Sequence, residues 1–272
     1  MNHANTTSGG HVPHSHPYHL VDPSPWPLMG ALSAFVLALG GLHYFQHRDQ
    51  PWGLYLGLGL VLLTMALWWR DVVREARSGD AHTTEVRHGL RIGMVLFIAS
   101  EVMFFAAFFW AFFHSSLKVA PMVSQWPPAG IAVLDTWHIP FVNTLILMSS
   151  GLTLTRSHHA LIRSDRGTSI RWLALTIALG VIFLGLQAYE YGEAVFAFTD
   201  GIYPSVFYMA TGFHGFHVLV GVCFLSVCLG RTLSGDFTAE RHVGFEAAAW
   251  YWHFVDAVWI FLFVWVYWWG NG

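Results

Sequence analysis

Seven long apolar runs, each able to cross a lipid bilayer as a helix, constrain the fold of this chain more than any other feature. They fall at about residues 28–45, 52–69, 92–113, 139–156, 172–189, 205–229 and 247–269. A chain in lipid must satisfy its own backbone hydrogen bonds, and a helix of about 20 residues crosses the hydrocarbon core. We therefore predict an all-α, polytopic membrane protein with seven transmembrane helices. The fourth run is the weakest, because asparagine, serine and threonine residues interrupt it.

The composition supports a membrane location and argues against several other classes of protein. Of the 272 residues, 55% are hydrophobic and 11% are charged, whereas soluble domains have about 25% charged residues. The formal net charge is −3 at pH 7, so the charge balance does not indicate nucleic-acid binding. The two cysteines, Cys223 and Cys228, lie five residues apart in one apolar run and so on different helix faces. Neither a disulfide nor a thiolate metal site is predicted.

The runs are predicted to form two groups of helices. A short turn, QHRDQP, joins the first two runs into an antiparallel hairpin, and about twenty polar residues separate that hairpin from the other five runs. The predicted segments are a histidine-rich N-terminal tail (1–27), a two-helix transmembrane hairpin (28–70), a cytoplasmic or matrix linker (71–91) and a five-helix transmembrane bundle (92–272). The tail lacks the features of a signal peptide, and its composition predicts disorder or loose attachment.

Arginine placement predicts the orientation of the chain. Of the 13 Lys and Arg residues, 11 follow the second, fourth and sixth helices. They are Arg70, Arg74, Arg77, Arg87, Arg91, Arg156, Arg163, Arg166, Arg171, Arg231 and Arg241. By the positive-inside rule, the N-terminus is cytoplasmic or faces the matrix, and the C-terminus lies outside. The outward connection between helices five and six carries Glu190, Glu193 and Asp200. We interpret them as solvated loop charges, and a loop that meets a basic partner is the alternative.

One acidic residue, Glu101, interrupts the third run near its middle. It is the tenth of the 22 residues from Ile92 to Phe113, so it is predicted to lie close to the bilayer midplane. A charge there costs at least about 2.5 kcal/mol, and intramembrane acids are usually functional. Two interpretations follow: a neutral acid hydrogen-bonded to a neighbouring helix, or a carboxyl linked to protons, lipid or another ligand.

The last run contains a second acid, Asp256, with His253 three residues earlier on the same helix face. A structural contact to a neighbouring helix is the favoured interpretation of Asp256, and catalysis is the alternative. Seventeen histidines raise the hypothesis of a haem or metal site. His214 and His217 share a similar face at mid-membrane, but no set of further ligands is evident, so no metal is predicted.

The inner end of the second run reads WWRDVVRE, which places Trp68 and Trp69 at the membrane interface with Arg70, Arg74 and Glu75 just beyond. Arginine beside interfacial tryptophan can bind a phospholipid headgroup. The same pattern is typical of an ordinary helix end, so both interpretations stay open.

Six stretches together resemble subunit III of cytochrome c oxidase, a haem–copper terminal oxidase. They are WWRDVVREA (68–76), GLRIGMVLFIASEVMFFAAFFWAFFHSSL (89–117), WPPAGI (126–131), QAYEYGEA (187–194), DGIYPSVFYMATGFHGFHVLVG (200–221) and HVGFEAAAWYWHFVDAVWIFLFVWVYWWG (242–270). The resemblance implies a two-helix and a five-helix unit splayed into a V with a lipid-filled cleft. It also implies partner subunits I and II, which hold the haem and copper, and contacts with other respiratory complexes.

The resemblance assigns this chain no redox cofactor and no catalytic residue of its own. It implies a supporting subunit that binds phospholipids, stabilises the catalytic subunit, shields the oxygen route and sustains proton uptake while the oxidase reduces O2 and pumps protons. Glu101 corresponds by motif to the membrane-buried, carbodiimide-reactive glutamate of the family. The positions that match lipid-associated residues are Trp68, Trp69, Arg74, Glu75, His82, Gly93, Glu101, His217 and Arg231. His82 and Gly93 rest on the resemblance alone.

Two other functions were weighed against this one. A free-standing proton-coupled transporter would use Glu101 and Asp256, but the spans show neither a repeat nor paired broken helices. A retinal photoreceptor needs an intramembrane lysine, and the sole lysine, Lys118, lies at a helix end. The expected location is the bacterial cell membrane, favoured by the histidine-rich tail, with the mitochondrial inner membrane as the alternative.

Overall fold

The computed structural model describes residues 23–78, 83–117 and 125–271. All regular secondary structure in these ranges is helical, so the all-α prediction is confirmed. The helices are α1 (Trp26–Gln46), α2 (Trp52–Ser78), α3 (Thr84–Ser116), α4 (Ile139–Ile162), α5 (Arg166–Glu193), α6 (Ile202–Ser234) and α7 (Val243–Leu262), which continues as a π-helix (Phe263–Trp269). Most of the histidine-rich tail, His82 and Lys118 lie outside the described residues.

Six of these helices are long and apolar enough to cross a membrane, and α4 is the exception within the described ranges. At about 1.5 Å per residue, the 24 residues of α4 still exceed a hydrocarbon core about 30 Å thick. Its polar side chains face other helices, since Asn143, Ser150 and Ser157 are fully buried. The low hydropathy of α4 therefore reflects contacts inside the protein.

Contacts divide the chain into two compact units, Met1–Gly89 and Leu90–Gly272, called here the hairpin unit and the bundle unit. In the hairpin unit, α1 and α2 pack closely where Gly40 meets the backbone of Gly53, and where Gly57 meets Leu37. The indole of Trp26 donates to Asp71 Oδ2 at 3.0 Å and ties the start of α1 to the C-terminal part of α2. Helices cover most of the 71–91 segment, because α2 continues to Ser78 and α3 begins at Thr84.

In the bundle unit, α4 packs against α5 and α7, and α6 packs against the same two helices. The fully buried indole of Trp252 lies at the centre of this packing. Gly180 on α5 and Gly221 on α6 leave room for it, because a Cβ on either glycine would lie 2.7 Å from the Trp252 ring. α6 ends at Ser234, where Gly235 adopts a left-handed φ of +79°, a conformation that favours glycine.

Hydrogen bonds between helices account for the polar residues of α4. Trp252 Nε1 donates to Ser150 Oγ at 2.9 Å, and Trp259 Nε1 donates to Thr144 Oγ1 at 2.9 Å. The amide of Asn143 reaches the carbonyl of Phe183 on α5 at 3.3 Å. Such bonds stabilise helix association in a membrane. Apolar side chains alone provide little driving force there, because lipid tails are as apolar as a neighbouring helix.

Aromatic side chains join α3 to the rest of the bundle unit. The ring centroids of Phe109 and Phe261 lie 4.3 Å apart, and those of Phe108 and Phe213 lie 4.9 Å apart. Phe105 is buried between the rings of His217 and Phe254. This layer of large rings positions α3 so that Glu101 lies beside α6.

Candidate functional site

Glu101 of α3 forms a hydrogen-bonded pair with His217 of α6. Its Oε2 lies 2.8 Å from His217 Nε2. The other ring nitrogen, Nδ1, lies 2.7 Å from the carbonyl of Phe213, which can only accept, so Nδ1 carries a proton. Nε2 then either accepts from a neutral carboxylic acid or, in an imidazolium, donates to a carboxylate. In both states the pair has no net charge, which suits a position inside a membrane.

Rings enclose the imidazole of this pair, whereas the carboxyl reaches the surface. The side chain of His217 is 9% exposed and that of Glu101 is 21% exposed. The rings of Phe105 and Phe104 lie 4.9 and 5.8 Å from the imidazole, centroid to centroid. Val102 and Met103, next to Glu101 in the chain, are largely exposed. The acid is therefore within reach of a lipid chain or of a partner protein.

Asp256 of α7 has different neighbours from Glu101, so the structure does not bring the two acids into one site. Its Oδ2 lies 3.4 Å from His253 Nδ1, as the spacing of three residues predicted. The carboxyl rests on α4 at Gly151, where a Cβ would collide with Oδ2. His253 Nε2 lies 3.3 Å from Thr155 Oγ1, also on α4.

The two histidines considered for haem or metal binding have separate partners. His214 is fully buried and its Nε2 lies 3.1 Å from the carbonyl of Val255. Its ring lies 5.0 Å from that of Trp259, while His217 points to Glu101. Within the ranges that the structure describes, no three His, Cys, Asp or Glu side chains are grouped so as to hold a metal.

The positions of the hairpin unit that the resemblance associates with lipid lie in the C-terminal part of α2. Trp68 and Trp69 are 40% and 59% exposed, and the side chain of Arg74 is 66% exposed. Asp71 Oδ1 lies 3.2 Å from Arg70 Nε and 3.6 Å from Arg74 Nη1. Asp71 was not singled out from the sequence, although it organises the guanidinium groups. Glu75, the residue after Arg74, is half-buried.

The lipid-associated positions in the bundle unit differ in their surroundings. Gly93, on α3, faces open space. Arg231, near the C-terminal end of α6, is 14% exposed and lies 3.6 Å from Asp236. Its guanidinium carbon lies 4.3 Å above the ring of Phe237, a favourable cation–π distance. The guanidinium group of Arg231 is thus held by residues of its own unit, whereas the side chain of Arg74 is largely exposed.

The sequence of this chain matches the family model of cytochrome c oxidase subunit III over residues 16–271. It is 56% identical over 265 residues to the curated cytochrome c oxidase subunit 3 of Marchantia polymorpha, which covers 96% of this chain and 99% of the relative. The corresponding protein of Scyliorhinus canicula is 55% identical over 258 residues, covering 94% of this chain and 98% of the relative. The chain belongs to the cytochrome c oxidase subunit III family.

Membership of this family settles the class of function. The chain is an accessory subunit of a proton-translocating oxidoreductase complex of the respiratory chain, and it partners other subunits of that complex. Subunit III of the oxidase carries no metal centre. The resemblance stated from the sequence motifs is confirmed, and the free-standing transporter is not supported.

Sequence reasoning missed two further polar contacts, those of Arg91 and of Glu190. Arg91 of α3 places Nε and Nη2 each 2.9 Å from Glu246 Oε2 at the start of α7. The two residues are 155 positions apart in the sequence, so no local signal indicates this pairing. Glu190 was interpreted as a solvated loop charge, and that was wrong. α5 continues to Glu193, so Glu190 is 1% exposed and accepts a 2.7 Å hydrogen bond from Tyr267.

Proposed function

We propose that this chain supports O2 reduction and proton pumping by binding phospholipids, stabilising subunits I and II, and sustaining proton uptake and O2 access. The observation that carries the proposal is the Glu101–His217 pair, which has no net charge and whose acid is the more exposed member. A neutral hydrogen-bonding group at this depth adds no charge to the membrane interior. It can meet lipid or a partner subunit while the imidazole stays enclosed by rings.

The headgroup end of a bound phospholipid is assigned to the inner end of α2. The open guanidinium of Arg74 can pair with a phosphate, and the exposed indoles of Trp68 and Trp69 suit the headgroup region of a bilayer. Asp71 contacts Arg70 and Arg74, and the side chains of the two arginines are 49% and 66% exposed, so a phosphate can approach both guanidinium groups. Gly93 and Arg231 are assigned to lipid contacts in the bundle unit, and His82 lies outside the described residues.

The Arg74→Gln substitution tests this headgroup assignment. The intact oxidase would be purified in mild detergent, and its retained phospholipids would be counted by native mass spectrometry. We expect the variant to lose one phospholipid that the wild-type complex keeps. Arg163→Gln is the matched control, because Arg163 is also exposed on the arginine-rich side but has no tryptophan beside it. Equal lipid retention in the two variants would refute the assignment.

The finer location and partners belong to the same proposal. Eleven of the thirteen Lys and Arg residues lie on one predicted side of the membrane, which supports a cytoplasmic N-terminus and an outer C-terminus. We assign the chain to the bacterial cell membrane, with the mitochondrial inner membrane as the alternative, and its direct partners to subunits I and II. Co-purification in mild detergent tests the partners, and protease access to tags at the two termini tests the orientation.

A further inference from the structure

A buried polar cluster near the C-terminal end of α5 has no role in the function proposed above. It consists of Gln187 and Glu190 on α5 and Tyr267 on the π-helix that continues α7, and it is called here the Glu190 cluster. These three residues are 4%, 1% and 0% exposed. Gln187 and Glu190 are three positions apart, so they share a helix face. Buried polar groups need hydrogen-bond partners, which the cluster must supply largely from its own atoms.

The hydrogen bonds of the Glu190 cluster leave two acceptors without a donor. The Tyr267 hydroxyl donates to Glu190 Oε1 at 2.7 Å, which uses its single hydrogen. Gln187 Nε2 lies 3.3 Å from that hydroxyl oxygen and 3.4 Å from Glu190 Oε1, so both amide hydrogens have acceptors. Glu190 Oε2 and Gln187 Oε1 remain, and both are buried without a hydrogen-bond partner among the described residues. The cluster therefore lacks a hydrogen between these two oxygens.

The surroundings of Glu190 supply no positive charge. No Lys or Arg occurs in the sequence between Arg171 on α5 and Arg231 on α6. In the part of the chain that the structure describes, no Lys, Arg or His forms an ion pair with Glu190. A buried carboxylate without a cation is costly. A proton on Oε2 removes that charge and supplies the missing donor at the same time.

Turning the Gln187 amide over would not change this requirement. The amide oxygen would then lie 3.3 Å from the Tyr267 hydroxyl and 3.4 Å from Glu190 Oε1. Three oxygens would be in mutual contact with one hydrogen, that of Tyr267, between them. A second hydrogen would again have to come from Glu190, so either orientation of the amide favours the protonated acid.

We propose that Glu190 keeps its proton in the folded protein and joins the π-helix to α5 as a neutral carboxylic acid. Oε1 accepts from the Tyr267 hydroxyl, and Oε2 donates to Gln187 Oε1, directly or across one buried water. Each oxygen left without a partner is then satisfied, and the cluster carries no charge. Glu190 is a positioning residue, since it acts on the fold through Tyr267.

The π-helix needs support from outside its own backbone. It runs for seven residues, from Phe263 to Trp269, whereas π-helices are rare and mostly a single turn long. Tyr267 provides two such attachments: its hydroxyl bonds to Glu190, and its carbonyl accepts from Thr136 Oγ1 at 2.8 Å. The Glu190 proton completes the first attachment, because an uncompensated carboxylate at this position would destabilise the contact.

Infrared spectroscopy of the intact oxidase at neutral pH tests the protonation state. A carboxylic acid has a C=O stretching band that a carboxylate lacks, so the wild-type spectrum minus that of Glu190→Gln shows which form is lost. We expect the loss of one carboxylic-acid band. Glu193→Gln is the matched control, because Glu193 is exposed on the same helix and should lose carboxylate bands. Loss of carboxylate bands in both variants overturns the proposal.

Tyr267→Phe reports on the same proton and leaves the acid in place. Without the hydroxyl, Glu190 Oε1 accepts fewer hydrogen bonds, and a C=O group with fewer hydrogen bonds stretches at higher frequency. We therefore expect the carboxylic-acid band to move to higher frequency in this variant. A change confined to carboxylate bands would contradict the neutral acid, even if Glu190→Gln did not assemble.

The thermal midpoint for loss of this chain from the purified oxidase tests the attachment. Glu190→Gln keeps an acceptor oxygen and replaces the Oε2 hydroxyl with an N–H donor, so its midpoint should match that of the wild type. Glu190→Met has a similar size and no such groups, and we expect a fall of about 2–4 °C. Wild-type midpoints in both variants, or an equal fall in both, overturn the proposal. Neither readout depends on the phospholipid count that tests Arg74.

Discussion

Two acid–histidine pairs lie in the membrane-spanning part of the bundle unit, and they are built in opposite ways. In the Glu101–His217 pair the acid is the more exposed member, at 21% against 9%. In the His253–Asp256 pair the imidazole is the more exposed, at 45% against 10%. The same two side-chain types therefore present a carboxyl to the surroundings on α3 and an imidazole on α7. The polar group that a neighbouring lipid or subunit can contact is therefore different at the two pairs.

The two pairs also differ in how the fold makes them. His253 and Asp256 are three residues apart on one helix, so helical geometry alone places them together. Glu101 and His217 are 116 residues apart and meet because aromatic rings hold α3 against α6. The first arrangement depends on room at Gly151, whereas the second depends on the packing between helices.

Carbodiimide labelling should give the largest contrast between the pairs. A hydrophobic carbodiimide added to the membrane-bound oxidase should modify Glu101 and leave Asp256 unmodified, because the Asp256 carboxyl is seated against the α4 backbone. Peptide mass spectrometry would measure both sites in one digest. Glu101→Gln should abolish the label, and comparable labelling of Asp256 would contradict the assigned difference in access.

Substitution of Gly151 should destabilise the protein through the His253–Asp256 pair and leave the Glu101–His217 pair unaffected. Gly151→Ala places a methyl group where Asp256 Oδ2 lies, and overpacking of this kind costs about 1–3 kcal/mol. Gly215→Ala is the matched control, since Gly215 lies on α6 two residues before His217 and faces open space. The thermal midpoint for loss of this chain from the purified oxidase would measure both. Equal midpoints would show that the Asp256 carboxyl can move aside.

Sequence reasoning predicted the elements of the fold better than their ends. Hydropathy identified each of the seven α-helices in the part of the chain that the structure describes, because burial in lipid demands long apolar runs. It placed the end of helix five too early, since α5 extends past the apolar run and buries Glu190 among polar partners of its own, Gln187 and Tyr267. A charged residue near the end of a predicted helix is normally expected to be exposed to solvent. The burial of Glu190 is evident only from the tertiary structure, in which Tyr267 packs against it.

In the candidate site, too, some contacts could be predicted from the sequence and others could not. The Asp256–His253 contact was predicted from spacing, and a contact between Glu101 and a neighbouring helix was foreseen without its partner. His217 was considered for haem and for lipid, and no local pattern pointed to the carboxyl it meets. Pairs formed across helices depend on how the helices rotate about their axes, which the large aromatic side chains decide and a single sequence does not encode locally.

The smallest expected effect comes from changing one member of the Glu101–His217 pair at a time. In Glu101→Gln the amide N–H can still donate to His217 Nε2, so assembly should stay intact. The rate at which the oxidase loses activity during turnover should differ from that of the wild type. In His217→Leu the acid loses its partner, and we expect destabilisation of about 1 kcal/mol, the size of an interhelical hydrogen bond in membranes. Subunit retention and the decay of oxidase activity during turnover would be measured together.

The order of these two effects is the informative result. If the Glu101–His217 contact joins α3 to α6, His217→Leu must lower retention of this chain more than Glu101→Gln, because only the leucine removes all hydrogen bonding. Phe104→Leu, which alters a ring beside His217 and spares both polar groups, is the control for packing. Equal retention in all three variants would show that the Glu101–His217 contact does not hold α3, and would leave the aromatic layer and the Arg91–Glu246 ion pair as its attachments.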